Sequence, residues 1–367
     1  MMQVLFVIDN LGSGGAQRHL INIANGFSER FKVKVLLYNN NLENFYKLNK
    51  NIQIKEIRRS TYNGFDLGVF IKIWKEIKKS NLIISFLPTG NLYCLLCRLF
   101  LNFDNKIICN EVSIKNNYEK LSKRIFTNIL YLQADHIICN TVYQANNLRN
   151  FPFLKNKIST IYNGCETKKF YHRIKKDYRN KVFIIVGRVA HPKNGLRILK
   201  ALKLFYKRNK FSPQIQWVGR IDNTTFKDQE LFDDMQAFLK KNQQIKSKLH
   251  FLGEIKDIDQ IYKNADGLIS ASTIEGLPYV ICEAMLSGCP VIASKISDNK
   301  IILGDNKRGL LCNPYSEKSI CKAIEKLVYA EEYKIRELTI NAREYAEEQF
   351  INKNMVNKYL KLIEDLI

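Results

Sequence analysis

Ala271-Ser-Thr-Ile-Glu-Gly-Leu-Pro-Tyr-Val-Ile-Cys-Glu-Ala-Met-Leu-Ser-Gly288 decides how the rest of the chain is read. It follows Asp266-Gly-Leu-Ile-Ser270, an apolar run that predicts a buried strand ending in small residues. Pro278 suits the first helical position, where a missing N–H costs nothing. Gly288 reads as the C-cap and Pro290 as the stop. Glu275 then falls in the strand-to-helix loop and Glu283 in the second helical turn.

The backbone N–H groups of Tyr279 and Val280 would point out of that helix start, a ready site for an anion. Glu283, further along, could accept two hydrogen bonds from the vicinal hydroxyls of a ribose. Glu275, beside the phosphate end, could contact a sugar attached there. Two carboxylates flanking an anion site repel a bare phosphate, so a nucleotide sugar, hydroxylated on both sides, suits the stretch better. The alternative is a helix-surface charge at Glu283 and a loop charge at Glu275.

Working outward, 367 residues allow two domains of ordinary size, with 46% hydrophobic and 25% charged residues as in soluble globular proteins. No run approaches a transmembrane length, and Val4–Ile8 is too short for a signal peptide, so a cytoplasmic location is expected. The nine cysteines are odd in number and mostly embedded in apolar runs, among them Cys109, Cys139 and Cys282, which argues for reduced thiols. Cys94-x-x-Cys97 lies in a stretch that reads as a buried helical face, with no second pair to complete a zinc site; no metal is expected. The net charge of +23, spread over both halves, suggests an anionic partner such as a membrane surface or nucleic acid, although an AT-rich genome would also enrich Lys, Asn and Ile.

The chain opens as βαβ. Gln3–Ile8 is a strand, Asn10–Gly15 a glycine-rich turn, and Leu20, Ile23, Ala24 and Phe27 form a helix face before the strand Lys32–Tyr38. Gly12-x-Gly14 matches a dinucleotide fingerprint only weakly, because Gln17 replaces the third glycine and no acid ends the second strand; NAD is not expected. Short apolar strands follow at Leu82–Phe86, Ile107–Cys109, His136–Cys139 and Ile158–Ile161. Repeated βα units imply a parallel sheet covered on both faces. After the polar connector Lys168–Asp177 the pattern restarts with Val182–Val186, then Ile215–Val218, Leu249–Leu252, Pro290–Ala293 and Gly309–Cys312. The fold class is therefore α/β, with two doubly wound Rossmann-like domains facing across a cleft. The boundaries are 1–168, 169–345 and a C-terminal helix, 346–367, expected to pack back on the N-terminal domain. Tyr345, Phe350, Met355, Tyr359 and Leu362 are its candidate anchors. Arg188 and Lys193 leave a strand end in the domain that holds the two glutamates. An arginine fork and a lysine point charge there could neutralise a diphosphate; the alternative is two surface cations in a basic protein, and His191 reads as a loop residue without a role.

Glu275-x7-Glu283, with Gly276 and Pro278 inside it, resembles the E-x7-E signature of family 4 retaining glycosyltransferases with the GT-B fold. Gly12–Arg18, Ile84–Asn91, Ile161–Gly164, Gly187-Arg188…Lys193 and Arg308–Pro314 resemble that family's other motifs in the same order, over essentially the whole chain. The likeness is strongest to enzymes of lipid-linked glycan, lipopolysaccharide and capsule assembly. It implies transfer of a hexose or N-acetylhexosamine from a nucleotide diphosphate sugar, UDP-linked by expectation, to a lipid-linked or polysaccharide acceptor. By that resemblance Gly187, Arg188 and Lys193 lie at the donor diphosphate and Glu283 at the ribose. Glu275 and the backbone of Gly276 and Leu277 meet the donor sugar, near the helix start at Tyr279 and Val280. Gly14 and Gly15 let the N-terminal loop close over the donor. Glu275, Arg188 and Lys193 are the catalytic candidates, and neither metal nor cofactor is implied.

Two segments depart from the family pattern. Asn110-Glu111-Val112-Ser113 lacks the histidine some relatives use on the acceptor side, and Ser297–Ile302 replaces a glycine-rich loop. Competing readings are a sugar-nucleotide epimerase or a phosphorylase on the same architecture, the latter needing a pyridoxal lysine that is not identifiable. A basic nucleic-acid-binding module would need exposed stacking aromatics, whereas these aromatics mostly occupy apolar-periodic positions; nucleic acid is not expected as a partner. Phe70, Ile73, Trp74 and Ile77, interleaved with Lys72, Lys75, Lys78 and Lys79, and the similar Lys115–Phe126 raise a further expectation. It is peripheral attachment to the cytoplasmic face of the inner membrane, against the simpler reading of amphipathic helices packed on the core.

Overall fold

A computed structural model describes the chain except residues 13, 40–45, 60–63, 102, 113–120, 167–179, 222–224 and 256. The chain falls into two compact units, Met1–Gly164 with Gln349–Ile367, and Cys165–Glu348. The connector Lys168–Asp177 lies outside the described residues.

In the first unit, seven described strands form one parallel sheet: β1 (Gln3–Ile8), β2 (Lys32–Leu37), β3 (Gln53–Glu56), β4 (Leu82–Phe86), β5 (Lys106–Glu111), β6 (His136–Cys139) and β7 (Ile158–Thr160). Their order is β3-β2-β1-β4-β5-β6-β7. The two-residue period of a strand divides its apolar residues between two faces. Leu5, Val7, Leu36, Ile83 and Ile107 enter one core, while Val4, Phe6, Ile8, Val35 and Ile84 enter the other. Helices cover both, as a parallel sheet requires. The helix Gly15–Phe27 buries Leu20, Ile23, Ala24 and Phe27.

The helix Asn352–Leu366 returns to this unit and buries Met355, Tyr359, Leu360 and Ile363 on the second of these cores. Each such side chain contributes about 1.5–3 kcal/mol of burial. Tyr359 also makes a polar contact there: its hydroxyl donates to Asn110 Oδ1 and lies 3.0 Å from His19 Nε2. Of the other anchors, Phe350 is fully buried, whereas Leu362 and Tyr345 are half-buried.

The helix Leu67–Ile77 begins at Asp66, whose carboxylate caps Val69 N at 3.0 Å. Its apolar face packs on the core, with Ile73 and Ile77 buried and Phe70 and Trp74 against the cluster. The four lysines are exposed. The aromatics of this stretch are therefore half-buried against the core. The first half of Lys115–Phe126, residues 115–120, lies outside the described residues, and the second half opens the helix Leu121–Tyr131. All nine cysteines are free and buried, Cys94 and Cys97 on one helix as expected.

The second unit repeats the design with β8 (Val182–Val186), β9 (Gln214–Val218), β10 (Leu249–Gly253), β11 (Gly267–Ser270), β12 (Val291–Ser294) and β13 (Leu310–Cys312). Among the described residues their order is β10-β9-β8-β11-β12-β13, all parallel. In both units the order of strands reverses at one place, beside β1 and β4 in the first and beside β8 and β11 in the second. Loops leaving the carboxyl ends there turn to opposite faces and open a crevice suited to ligands.

Candidate active site

β8 and β11 are hydrogen-bonded neighbours, so the loops that follow them are adjacent at the switch point of the second sheet. The first carries Gly187, Arg188 and Lys193; the second carries Glu275, Gly276 and Leu277 and runs into the helix Tyr279–Leu286. Pro278 is the N-cap, one place earlier than expected, and Tyr279 is the first helical residue. Glu283 keeps its place in the second turn. The helix ends with Gly288 at φ +68°, and the N–H groups of Gly288 and Cys289 bond to Met285 O and Ala284 O at 3.1 and 2.8 Å. That is a Schellman ending, so Gly288 lies one residue beyond the C-cap and supplies the left-handed turn.

Lys193 Nζ lies 2.5 Å from Glu275 Oε1, and both side chains are about one-fifth exposed. Ser272, 2% exposed, donates its hydroxyl to the same carboxylate oxygen at 2.9 Å. In turn Ser294 donates to Ser272 O at 2.6 Å. The cation and the acid, 82 residues apart in sequence, thus meet as a partly desolvated charge-assisted pair that a serine also holds. Glu283 is oriented by a residue that the sequence reading did not single out. Tyr262, fully buried on the helix Ile258–Asn264, donates its hydroxyl to Glu283 Oε2 at 3.0 Å. Arg188 is exposed at the carboxyl end of β8, and His191 is exposed on the turn before Lys193.

The strand exit itself needs glycine. Gly187 has φ +132°, and a Cβ there would lie 2.7 Å from Lys193 Cε. Its carbonyl accepts from the Trp217 indole at 2.8 Å. Gly219, at φ +144° beyond β9, abuts it so closely that a Cβ would stand 2.2 Å from Gly187 O. Ser297–Ile302 forms a turn and a short helix, with the amide of Asn299 donating to Ser294 O at 2.9 Å.

Gly14 and Gly15 belong to the first unit. Gly14 is the extended N-cap and Gly15 the first residue of the opening helix, both exposed. Beside them Asp9, at the end of β1, accepts from Asn10 N at 2.7 Å and Gln17 Nε2 at 3.2 Å, and burial raises its carboxyl above the usual range. At the end of β5 Glu111 is buried and accepts from the Tyr131 hydroxyl at 2.5 Å. His19 is fully buried beside Tyr359, and desolvation pulls it down to about 3, so it stays neutral at physiological pH.

Two family models match the chain: Glycosyltransferase Family 4 over residues 13–169, and Glycosyl transferases group 1 over residues 167–349. The chain belongs to glycosyltransferase family 4. Its two parallel-sheet Rossmann-like domains have GT-B glycosyltransferases as structural neighbours, and the protein is a transferase. It is 24% identical, over 100% of its length and 99% of the relative's, to a Campylobacter jejuni α-1,4-N-acetyl-D-galactosaminyltransferase named for a diphosphoundecaprenol-linked GalNAc acceptor. It is 25% identical to the capsular polysaccharide biosynthesis glycosyltransferase CapH of Staphylococcus aureus, over 82% of this chain and 83% of that one. Anabaena HepE, solved with UDP, superposes with a TM-score of 0.82 at 18% identity, covering 99% of this chain and 100% of that one. Neither the epimerase reading nor the nucleic-acid reading finds support among these relatives.

Proposed function

We propose that this family 4 enzyme is a retaining, metal-independent glycosyltransferase that moves a hexose or N-acetylhexosamine from a UDP-linked donor to a lipid-linked glycan acceptor. The observation that carries the reading is the gathering of Arg188, Lys193, Glu275 and Glu283 on two adjacent strand-end loops and the helix that the second of them enters. The named acceptors of the Campylobacter relative and the UDP in the Anabaena structure support the choice of substrates.

In this reading Arg188 and Lys193 hold the diphosphate, assisted by the helix start at Tyr279 and Val280. Glu283, kept in orientation by Tyr262, accepts from the ribose hydroxyls. Glu275 and the backbone at Gly276 and Leu277 contact the sugar. Gly14 and Gly15, in the first unit, leave the backbone of their own loop open to close approach by a ligand. The acceptor oxygen bonds to the anomeric carbon on the face that the diphosphate leaves. The bond from that carbon to the phosphate oxygen breaks, and the acceptor proton passes to the departing phosphate. Positive charge fixed beside that oxygen stabilises the charge that develops on it.

A lipid-borne acceptor calls for access to a membrane surface, and no helix among the described residues is long and apolar enough to cross one. Peripheral attachment to the cytoplasmic leaflet would rest on the exposed Lys72, Lys75, Lys78 and Lys79, with Phe100 and Phe126 exposed on two neighbouring helices. Each cation near an anionic surface is worth roughly 1 kcal/mol. Sedimentation with vesicles of graded anionic-lipid content tests this; no binding at low salt rules it out. The reaction is tested by incubating the protein with a panel of UDP-sugars and an undecaprenyl-diphosphate-linked glycan. Acceptor-dependent UDP release and an α-linked product by NMR are expected. A β-linked product from an α-donor contradicts retention, and no release from any donor sinks the reading.

A further inference from the structure

Lys193 ends a short turn, His191–Lys193, and the residue after it does something unusual for its place. Asn194 is the N-cap of the helix Gly195–Asn209, in the left-handed conformation at φ +63° and ψ +33°. An N-cap asparagine ordinarily turns its side-chain oxygen back to the first free N–H groups of its own helix. Among the described residues Asn194 makes no such bond. Its amide nitrogen reaches outward instead, donating to Ala271 O at 2.9 Å and to Pro314 O at 2.7 Å. Its oxygen faces Arg197 Nη1 at 3.5 Å, and that guanidinium also reaches Pro314 O at 3.3 Å. Asn194 is only 8% exposed, so without its amide Ala271 O would lose this donor with little access to water, and Pro314 O would keep only the longer bond from Arg197.

Ala271 opens the loop that carries Glu275, and Pro314 follows β13. One buried amide therefore ties together the loops after β8, β11 and β13. Two more bonds steady the turn: Thr273 N donates to Pro192 O at 2.9 Å, and His191 N donates to Asp228 Oδ1 at 2.7 Å. Asp228 is itself held by the Thr225 hydroxyl at 2.6 Å.

We propose that Asn194 is a positioning residue for the donor diphosphate. It touches no ligand; it fixes where Lys193 stands relative to the Glu275 loop before the nucleotide arrives. A cation held in place binds phosphate without a further loss of loop freedom, and that saving appears as affinity. The residue type fits the task on two counts. Asparagine tolerates the left-handed backbone, and its NH2 group supplies the two donors that two carbonyls require.

The proposal rests on Lys193 as a diphosphate contact, and a double-mutant cycle keeps the two claims apart. Asn194→Gly retains the left-handed backbone and removes the tie; Asn194→Asp retains the size and removes both donors. Each is titrated with UDP by calorimetry, alone and in a Lys193→Ala background, after a thermal melt has established folding. In the wild-type background both variants are expected to bind UDP about tenfold more weakly, and in the Lys193→Ala background to change affinity by less than about twofold. Wild-type affinity in both single variants would overturn the proposal. So would an equal loss in both backgrounds, which is what a merely structural residue gives. Failure of the unsubstituted protein to bind UDP would instead overturn the nucleotide reading beneath it.

Discussion

Replacing Gly187 by alanine perturbs the strand exit in two separable ways. At φ +132° the backbone lies where a residue with a Cβ is strained. Such conformations cost about 1–3 kcal/mol, which in a unit of this size lowers the melting temperature by roughly 2–4 °C per kcal/mol. The second effect is local. The new Cβ would stand 2.7 Å from Lys193 Cε and 3.2 Å from Nζ, whereas carbon atoms settle at about 3.5–4.0 Å. The lysine stem must therefore retreat by roughly 1 Å, away from the position in which its ammonium sits 2.5 Å from Glu275. A charge-assisted hydrogen bond is worth about 1.5–3 kcal/mol, so displacing its donor is expected to weaken UDP binding by about 10- to 100-fold. Calorimetric titration of folded Gly187→Ala, beside a thermal melt, separates the two effects. A lowered melting temperature with UDP affinity unchanged would refute the argument that the glycine exists to give Lys193 its place.

Glu275→Gln should lower turnover far more than UDP affinity, because the proposed function assigns the carboxylate to the transferred sugar and the substitution also releases Lys193 from its ion pair; steady-state rates beside UDP titrations check this, and undiminished activity would remove Glu275 from the mechanism. Stability of the first unit should fall as pH drops from 7 toward 5. His19 and His136 have folded values lowered to about 3 and about 4, chiefly by burial, so the unfolded chain binds protons that the folded chain refuses. Their stabilisation is full above the ordinary value near 6.5 and is lost as pH falls toward the folded values, by about 1.4 kcal/mol per pH unit for each group. Urea melts of wild type and His19→Gln test the sign: the variant should show a shallower decline, and an equal slope contradicts the assignment.

The doubly wound pattern was legible because parallel strands buried on both faces are continuous apolar runs. Val182–Val186, Leu82–Phe86 and His136–Cys139 were bounded to the residue. β3, Gln53–Glu56, was missed because this exposed edge strand has one apolar residue, Ile54, among polar ones and so lacks the continuous apolar run of the inner strands. Amphipathic spacing in Phe70–Lys79 was read correctly as a helix, but spacing alone does not say whether an apolar face meets a core or a membrane. Arg188, Lys193 and Glu275 stood out because each lies in a loop that leaves a strand end, and Glu283 because it lies in the helix that the second of these loops enters. Tyr262 and Asn194 did not, because their partners lie 21, 77 and 120 residues away and only the sheet order brings them together. The Lys193–Glu275 contact was hidden for the same reason, being 82 residues apart in sequence.

The central claim, that the switch point of the second sheet holds a nucleoside diphosphate between a cation and a ribose-binding carboxylate, is tested most directly by UDP titration of the wild type, Lys193→Ala and Glu283→Ala. Each substitution removes charge-assisted hydrogen bonds worth about 1.5–3 kcal/mol, so each variant should bind UDP at least about tenfold more weakly than the wild type while remaining folded. Unchanged affinity in both variants would contradict the site.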